Sequence, residues 1–182
     1  MIETFLGAVV IVSTLLTAYV LLSNKFKSTI IKIDKAEEDI ALYMQIKEDL
    51  LNRARTVISK ELKNKSVMED LDIIPVDSTK IEVHQILKKV YNDCFKILDE
   101  NEKLLKSKAL ENILSELDTN EEDIVGSIKF YNDTVVEYNQ LVVSFPSNGV
   151  ALIKHYKKKD FYVNDYRDEA KLLKMKKKEK EK

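Results

Sequence analysis

An unbroken run of apolar positions lies near the start of the chain. Phe5–Leu22 reads FLGAVVIVSTLLTAYVLL, 18 residues without a charged side chain. As a helix rising about 1.5 Å per residue it would span about 27 Å, close to the hydrocarbon thickness of a bilayer. Glu3 before the run and Leu21-Leu22-Ser23-Asn24 after it differ from the basic start and small-residue exit of a cleavable signal peptide. We therefore predict that Phe5–Leu22 contacts membrane lipid as a transmembrane anchor within residues 1–24, in preference to a signal peptide or a buried core helix.

Lysines flank this anchor on one side only. They follow it directly, at Lys25, Lys27, Lys32 and Lys35, and no Lys or Arg precedes it. Because the flank richer in Lys and Arg usually stays in the cytoplasm, this asymmetry predicts a single-pass protein of the cell membrane. Its N-terminus would lie outside the cell and its C-terminal domain in the cytoplasm.

Helical periodicity continues beyond the anchor. No helix breaker occurs from Lys25 to about Lys63, and apolar residues return there with near-helical spacing, at Ile30, Ile33, Ala36, Ile40, Tyr43, Leu50, Ala54 and Val57. Pro75 and the Thr79-x-x-Glu82 capping box predict a loop and then a second helix, from about Thr79 to Lys106. Its apolar face comprises Val83, Ile86, Leu87, Val90, Tyr91, Cys94, Ile97 and Leu98. The chain is therefore predicted to be all-α, with a helical domain over residues 25–163.

A third helix carries a seam of apolar and aromatic positions in alternating steps of three and four. The seam comprises positions 114, 117, 121, 124, 128, 131, 135, 138, 142 and 145, and Glu121 is its one polar member. A Tyr-Asn pair occurs twice, seven residues apart, so Tyr131 and Tyr138 lie on the seam while Asn132 and Asn139 lie together beside it. We predict that these hydroxyls and amides form a polar ladder that sets the register of neighbouring helices. A ligand pocket at the two tyrosines is the less favoured alternative.

Helix-stopping residues follow the third helix, in the order Phe145-Pro146-Ser147-Asn148-Gly149. Pro146 removes a backbone donor and Gly149 permits a left-handed turn, so the chain is expected to reverse there. Val150–Tyr156 then suits a short helix.

The last residues, 164–182, are predicted to form a basic tail. Lys171–Lys182 reads KLLKMKKKEKEK, which is rich in Lys and contains only two Glu. We expect a disordered or frayed helical tail that keeps the protein soluble. Contact between this tail and an anionic membrane leaflet is the alternative.

The amino-acid composition makes several kinds of catalytic and binding site improbable. The 182 residues include one cysteine, two histidines and three glycines, with a formal net charge of −1. Cys94 on an apolar face favours core packing, and His84 beside that face favours a solvated surface residue over a metal ligand. The carboxylates of Glu37–Asp39 and Glu121–Asp123 spread around their helices, and no phosphate-binding loop or nucleophile motif occurs. We therefore predict no catalytic residue, no cofactor, no metal site and no nucleic-acid binding.

Residues 119–162, TNEEDIVGSIKFYNDTVVEYNQLVVSFPSNGVALIKHYKKKDFY, resemble the signature region of the LemA family of bacterial membrane-anchored helical proteins. The signature residues are Tyr131, Asn132, Tyr138, Asn139, Phe145, Pro146 and Asn148. Residues 23–52 are similar to the family's first long helix, except that Gln45–Asn52 lacks the Arg-Tyr-Asp-Leu-Ile-Pro-like stretch of other members. The resemblance implies an antiparallel bundle of long helices behind a transmembrane helix, and it implies no established reaction.

The anchor and the helical domain suggest three functional hypotheses. The first is a non-catalytic, membrane-anchored scaffold or interaction protein of the bacterial cell envelope, with an unidentified protein partner and with self-association left open. The second is an accessory or regulatory subunit of a membrane protease or other envelope enzyme, docked through acidic helix faces. The third and weakest is a small-molecule sensor with a pocket around Tyr131 and Tyr138.

Overall fold

The structure is a computed structural model that describes residues 1–64, 66–73 and 80–162. Its four α-helices are α1 (Ile2–Leu62), α2 (Lys80–Glu100), α3 (Lys108–Val143) and α4 (Ser147–Lys154), with short 3-10 helices at Glu69–Ile73 and Leu104–Lys106. No strand occurs in this described part of the chain. The predicted all-α fold, a long apolar N-terminal helix followed by packed helices, is confirmed. Thr79 of the predicted capping box and the predicted tail at residues 164–182 lie outside the described residues.

Helix α1 confirms that the apolar N-terminal helix continues without a break into the polar part of the chain. It is one helix of 61 residues, and every residue from 1 to 18 is exposed. Within the described ranges it is the one helix long and apolar enough to cross a membrane, with a mean hydropathy of 2.4 over its most apolar window. This exposed apolar segment is consistent with a membrane anchor, because an apolar helix without protein around it needs a hydrocarbon environment.

The chain forms two compact units. Unit 1 comprises Met1–Ala36 and Phe130–Phe161, and unit 2 comprises Glu37–Lys129 and Tyr162–Lys182. Of the last of these ranges, the structure describes Tyr162.

In unit 2, α1, α2 and α3 each contribute an apolar stripe to the core. The antiparallel direction of α1 and α3 follows from two ion pairs, Lys47 with Glu121 and Arg53 with Glu116. As residue numbers rise along α1, those of the partners fall along α3. The buried residues of α2 match the predicted face and include Leu87, Val90, Cys94 and Leu98. Burying these side chains supplies most of the stabilisation of such helices, since helix propensity alone is weak.

The prediction of a solvated His84 is wrong. Its side chain is buried, and the ring of Tyr162 lies edge-on to the imidazole with centroids 6.0 Å apart. The Tyr162 hydroxyl in turn lies 3.8 Å from Sδ of Met44. Tyr162, which is distant in sequence, therefore covers His84. The periodicity of α2 could not show that Tyr162 lies there.

In unit 1, residues of α1 and α3 surround an aromatic cluster. The buried side chains include Phe26, Ile33, Tyr131, Val135 and Tyr138. Tyr131 and Tyr138 thus lie on the buried seam, as predicted.

The end of α3 and the residues after it differ from the prediction in three respects. Phe145 is not on the seam, because α3 ends at Val143 and the Phe145 side chain is 89% exposed. Gly149 lies inside α4 without a positive φ. The left-handed residue is His155, with φ of 55°, and it ends α4. The short helix accordingly covers Ser147–Lys154 and not the predicted Val150–Tyr156.

Candidate functional site

A pair of hydrogen bonds in unit 1 joins α3 to the residues without regular secondary structure that follow α4. We call residues 157–161 the C-terminal segment. Asn139 Nδ2 donates a hydrogen bond of 2.9 Å to the Lys159 carbonyl oxygen. The Lys159 backbone N–H donates one of 2.9 Å to Asn139 Oδ1. A side-chain amide offers one donor face and one acceptor, so Asn139 pairs with a peptide group as a neighbouring strand would.

Two further contacts hold the C-terminal segment. The Tyr131 hydroxyl donates a hydrogen bond of 3.1 Å to the Asp160 carbonyl oxygen. Lys159 Nζ lies 3.6 Å from Asp34 Oδ1 of α1. Since a segment without regular secondary structure satisfies few of its own backbone groups, these side chains supply partners for some of them.

The ring of Tyr138 packs among other aromatic rings of unit 1. It meets Phe26 edge-on with centroids 5.9 Å apart and lies 6.4 Å from Tyr156, whose own ring is 5.0 Å from Phe26. Burial, and to a smaller extent the neighbouring Tyr156, raises the pKa of the Tyr138 phenol. The phenol therefore stays neutral at physiological pH, which suits a packing role.

These contacts give the repeated Tyr-Asn pair a structural explanation. The predicted polar ladder between helices is wrong for Asn139, whose amide bonds the backbone of Lys159. Asn132 is half-buried beside Tyr131. Seven residues place both pairs on the same side of α3, and that side receives the C-terminal segment at Tyr131 and Asn139. One residue of each Tyr-Asn pair therefore holds the C-terminal segment against α3.

The remaining signature residues lie at the turn between α3 and α4, apart from this docking contact. Phe145, Pro146 and Asn148 are exposed. Pro146 precedes the first residue of α4, and the Asn148 N–H donates a hydrogen bond of 2.8 Å to the Ser144 carbonyl oxygen. They shape the turn and do not meet Tyr131 or Asn139 in one site.

Asn139→Ala is expected to release the C-terminal segment. The substitution removes two hydrogen bonds and leaves a backbone pair without its partner, at a cost of about 1–3 kcal/mol. Trypsin should then cleave after Lys157 and Lys158 faster than in the parent protein, as measured by mass spectrometry of timed digests. Gln140→Ala, at the exposed neighbouring position, is the matched control. Equal cleavage rates for the two variants would contradict the docking role of Asn139.

A buried lysine in unit 2 forms a second polar cluster. Lys47 of α1 is 1% exposed, and its ammonium forms an ion pair with Glu121 Oε2 of α3. The same Nζ lies 4.7 Å from the centroid of the Tyr91 ring. The Tyr91 hydroxyl donates a hydrogen bond of 3.1 Å to Asp118 Oδ1. This cluster thus contains residues of all three long helices, with Glu121 and Asp118 both from α3.

Burial dominates the electrostatics of this cluster. Desolvation lowers the pKa of Lys47, and the hydrogen bond and charge of Glu121 oppose that change. Desolvation and the bond to Asp118 raise the pKa of Tyr91. A buried ammonium needs a close anion to keep its charge, and the face of an aromatic ring adds a smaller attraction. Here Glu121 supplies the anion and Tyr91 the ring.

Sequence reasoning missed Lys47, although two signals pointed to it. Position 47 continues the buried stripe of α1, which includes Ile40, Met44, Leu51 and Ala54. Glu121 interrupts an otherwise apolar seam on α3. A charge at a buried position of one helix needs a countercharge at a buried position of another, so the two irregularities could have been matched.

Cys94 is buried, as predicted, and burial raises its pKa to about 11. Its thiol therefore stays protonated near neutral pH, where thiols are poor nucleophiles and metal ligands. Among the described residues, no group of three or more His, Cys, Asp and Glu side chains could hold a metal ion.

Comparison with known proteins concerns the C-terminal two thirds of the chain. A search of curated proteins finds no match. The sequence model of the LemA family matches residues 60–175, which is more than half of the chain. This range contains α2, α3, α4 and the docking contact between Asn139 and the C-terminal segment. The chain therefore belongs to the LemA family.

Proposed function

We propose that this chain is a membrane-anchored, non-catalytic helical scaffold of the bacterial cell envelope that binds a protein partner. The observation that carries the proposal is the continuity of α1. The helix is apolar and exposed over its first 18 residues, and the same helix begins to be buried by other helices at Ser23. The exposed apolar residues and the packed residues therefore belong to one helix with an unbroken series of backbone hydrogen bonds. A partner bound to the packed helices is thereby retained at the membrane.

Exposed apolar residues on α1 in unit 2 support the binding of a protein. Leu42 and Ile46 lie one turn apart on α1 and are 52% and 39% exposed. Side chains four residues apart are neighbours on a helix surface, so the two form one apolar contact point among charged residues.

Site-specific photo-crosslinking in native membranes tests the scaffold. A photoreactive residue replaces Leu42 of the full chain, and the matched control carries it at the exposed Lys96 of α2. The proposal expects a discrete adduct with another protein, or with a second copy, from position 42 and a weaker one from position 96. Equal, background-level labelling at both positions would contradict a partner at this face.

The lysine asymmetry also supports a definite topology. A tag after Lys182 is expected to be protected from protease in intact cells, and a tag before Met1 is expected to be cleaved, because Lys25, Lys27, Lys32 and Lys35 favour a cytoplasmic location. Both tags should be cleaved once the cells are permeabilised. Cleavage of the C-terminal tag in intact cells would contradict the proposed orientation.

A second candidate, an accessory subunit of a membrane protease or other envelope enzyme, is favoured by the exposed acidic residues of α3. Glu111, Glu122 and Asp123 are all exposed in unit 2, and a basic partner surface would complement them. Altered membrane proteolysis in a deletion strain, if the parent chain restores it and the Glu122→Lys variant does not, would support this candidate. Unchanged proteolysis would count against it.

The sensor hypothesis has less support, because the rings of Tyr131 and Tyr138 are packed against protein.

A further inference from the structure

Three large apolar side chains at one end of unit 1 are exposed. Phe145 is 89% exposed, Leu152 78% and Ile153 63%. On α4, Val150 and Ala151 face the core, so Leu152 and Ile153 must face outward. We call Phe145, Leu152 and Ile153 the α4 patch. Large apolar side chains that are exposed within one short stretch of the chain are typical of a surface that contacts something apolar.

The α4 patch lies beside the end of the apolar N-terminal run. Lys25 Nζ is 3.6 Å from Glu137 Oε1, and the rings of Phe26 and Tyr138 are in contact. Helix α3 continues for five residues beyond Tyr138 to Val143, about 7.5 Å at 1.5 Å per residue. Counting the same five residues back along an antiparallel α1 from Phe26 places the end of α3 at about the level of Leu21, close to the last residues of the apolar run.

Burial along α1 indicates the same level independently. Residues 1–18 are exposed, Tyr19 and Leu22 are half-buried, and Ser23 is buried. Protein packing therefore begins where the apolar run ends. If α1 crosses a bilayer, this level is the boundary between hydrocarbon and headgroups.

Basic residues accompany the α4 patch. Lys154, Lys157 and Lys158 follow it, and Lys27 lies on α1 just beyond the apolar run; all four are exposed. Lysines at this depth extend their ammonium groups toward lipid phosphates while their methylene stems remain in the apolar layer. Outward apolar side chains next to lysines are typical of helices that lie in a membrane interface.

We propose that the α4 patch inserts into the interface of the same bilayer that α1 crosses, as a second lipid contact with preference for anionic headgroups. The inference rests on the membrane attachment proposed above and deepens it. Two contacts with one bilayer restrict the tilt and rotation of unit 1, whereas a single helix leaves both free. If a protein, including a second copy of this chain, covers the patch instead, lipid quenchers should not reach it in the following experiment.

The absence of tryptophan from the chain allows a direct test. Single variants of the full chain carry one indole each: Leu152→Trp in the α4 patch, Leu15→Trp in the apolar run, and Phe130→Trp as the matched control. Phe130 is an exposed aromatic of the same unit, 49% exposed, and lies about 20 Å along α3 from Val143. Each variant is reconstituted into phosphatidylcholine vesicles, with or without phosphatidylglycerol, that contain lipids brominated on the acyl chains.

The proposal expects brominated lipid to remove most of the emission of Leu15→Trp and Leu152→Trp and little of that of Phe130→Trp. Quenching of Leu152→Trp should increase with phosphatidylglycerol. Quenching of Leu15→Trp alone would overturn the second contact and leave the anchor intact. Quenching of none would overturn both proposals. A blue-shifted but unquenched Leu152→Trp would show a protein on the patch, and equal quenching of all three would overturn a contact confined to α4.

Discussion

Tyr138→Ala is expected to lower the free energy of unfolding by about 3–5 kcal/mol, because it removes a buried aromatic ring and leaves a cavity. The ring of Tyr138 contacts Phe26 of α1 and Tyr156 after α4, so its loss weakens three parts of unit 1 together. Chemical unfolding of the full chain in detergent micelles, followed by circular dichroism, measures the change. A loss of this size is a large fraction of the stability of a small domain.

Two control variants separate packing from other roles of Tyr138. Tyr138→Phe keeps the ring and deletes the hydroxyl, so it is expected to cost about 1 kcal/mol or less. Phe130→Ala removes an aromatic of the same unit that is 49% exposed and lies outside the α4 patch, so it should cost no more than about 1 kcal/mol. A Tyr138→Ala variant as stable as Phe130→Ala would contradict the packing role.

Glu121→Gln is expected to cost about 3 kcal/mol, because it leaves the Lys47 ammonium buried without its anion. The effect should be asymmetric between the partners. Lys47 is 1% exposed, whereas the Glu121 side chain is 26% exposed and can be hydrated once its partner is removed. Lys47→Met, which keeps most of the volume, should therefore cost no more than about 1 kcal/mol.

A double variant and a neighbouring control test this asymmetry. Lys47→Met combined with Glu121→Gln should be more stable than Glu121→Gln alone, because no charge is then left buried. Glu122→Gln changes the adjacent exposed carboxylate and should stay within about 0.5 kcal/mol of the parent. If Glu121→Gln and Glu122→Gln have the same stability, the ion pair contributes nothing and the interpretation fails.

Several features of the fold could be predicted because they depend only on local spacing. The apolar run of α1 and the buried stripes of α2 and α3 follow from side chains that recur every three or four residues. Tyr131 and Tyr138 lie on the buried side of α3 for the same reason. In each case the information is contained within one helix.

Other features could not be predicted, because the partner residue is distant in sequence. Lys47 continues the buried stripe of α1, but its helix alone does not show that Glu121 and Tyr91 are the residues beside it. His84 lies three residues before the buried Leu87 on α2, and the distant Tyr162 covers its polar ring. Phe145 continues a helical spacing but not a helix, since α3 ends two residues earlier.

The sequence alone determined the all-α class, the long exposed apolar helix and the faces of the helices that are buried, because period and length are local properties. Tertiary structure alone decided what those faces meet. Asn139 could have bonded a tyrosine, another helix or water. It bonds the backbone of Lys159 because the residues after α4, which have no regular secondary structure, lie against α3. The physical reason is that a side-chain amide can form hydrogen bonds with any donor or acceptor of matching geometry. Only the fold determines which of these groups lies beside it.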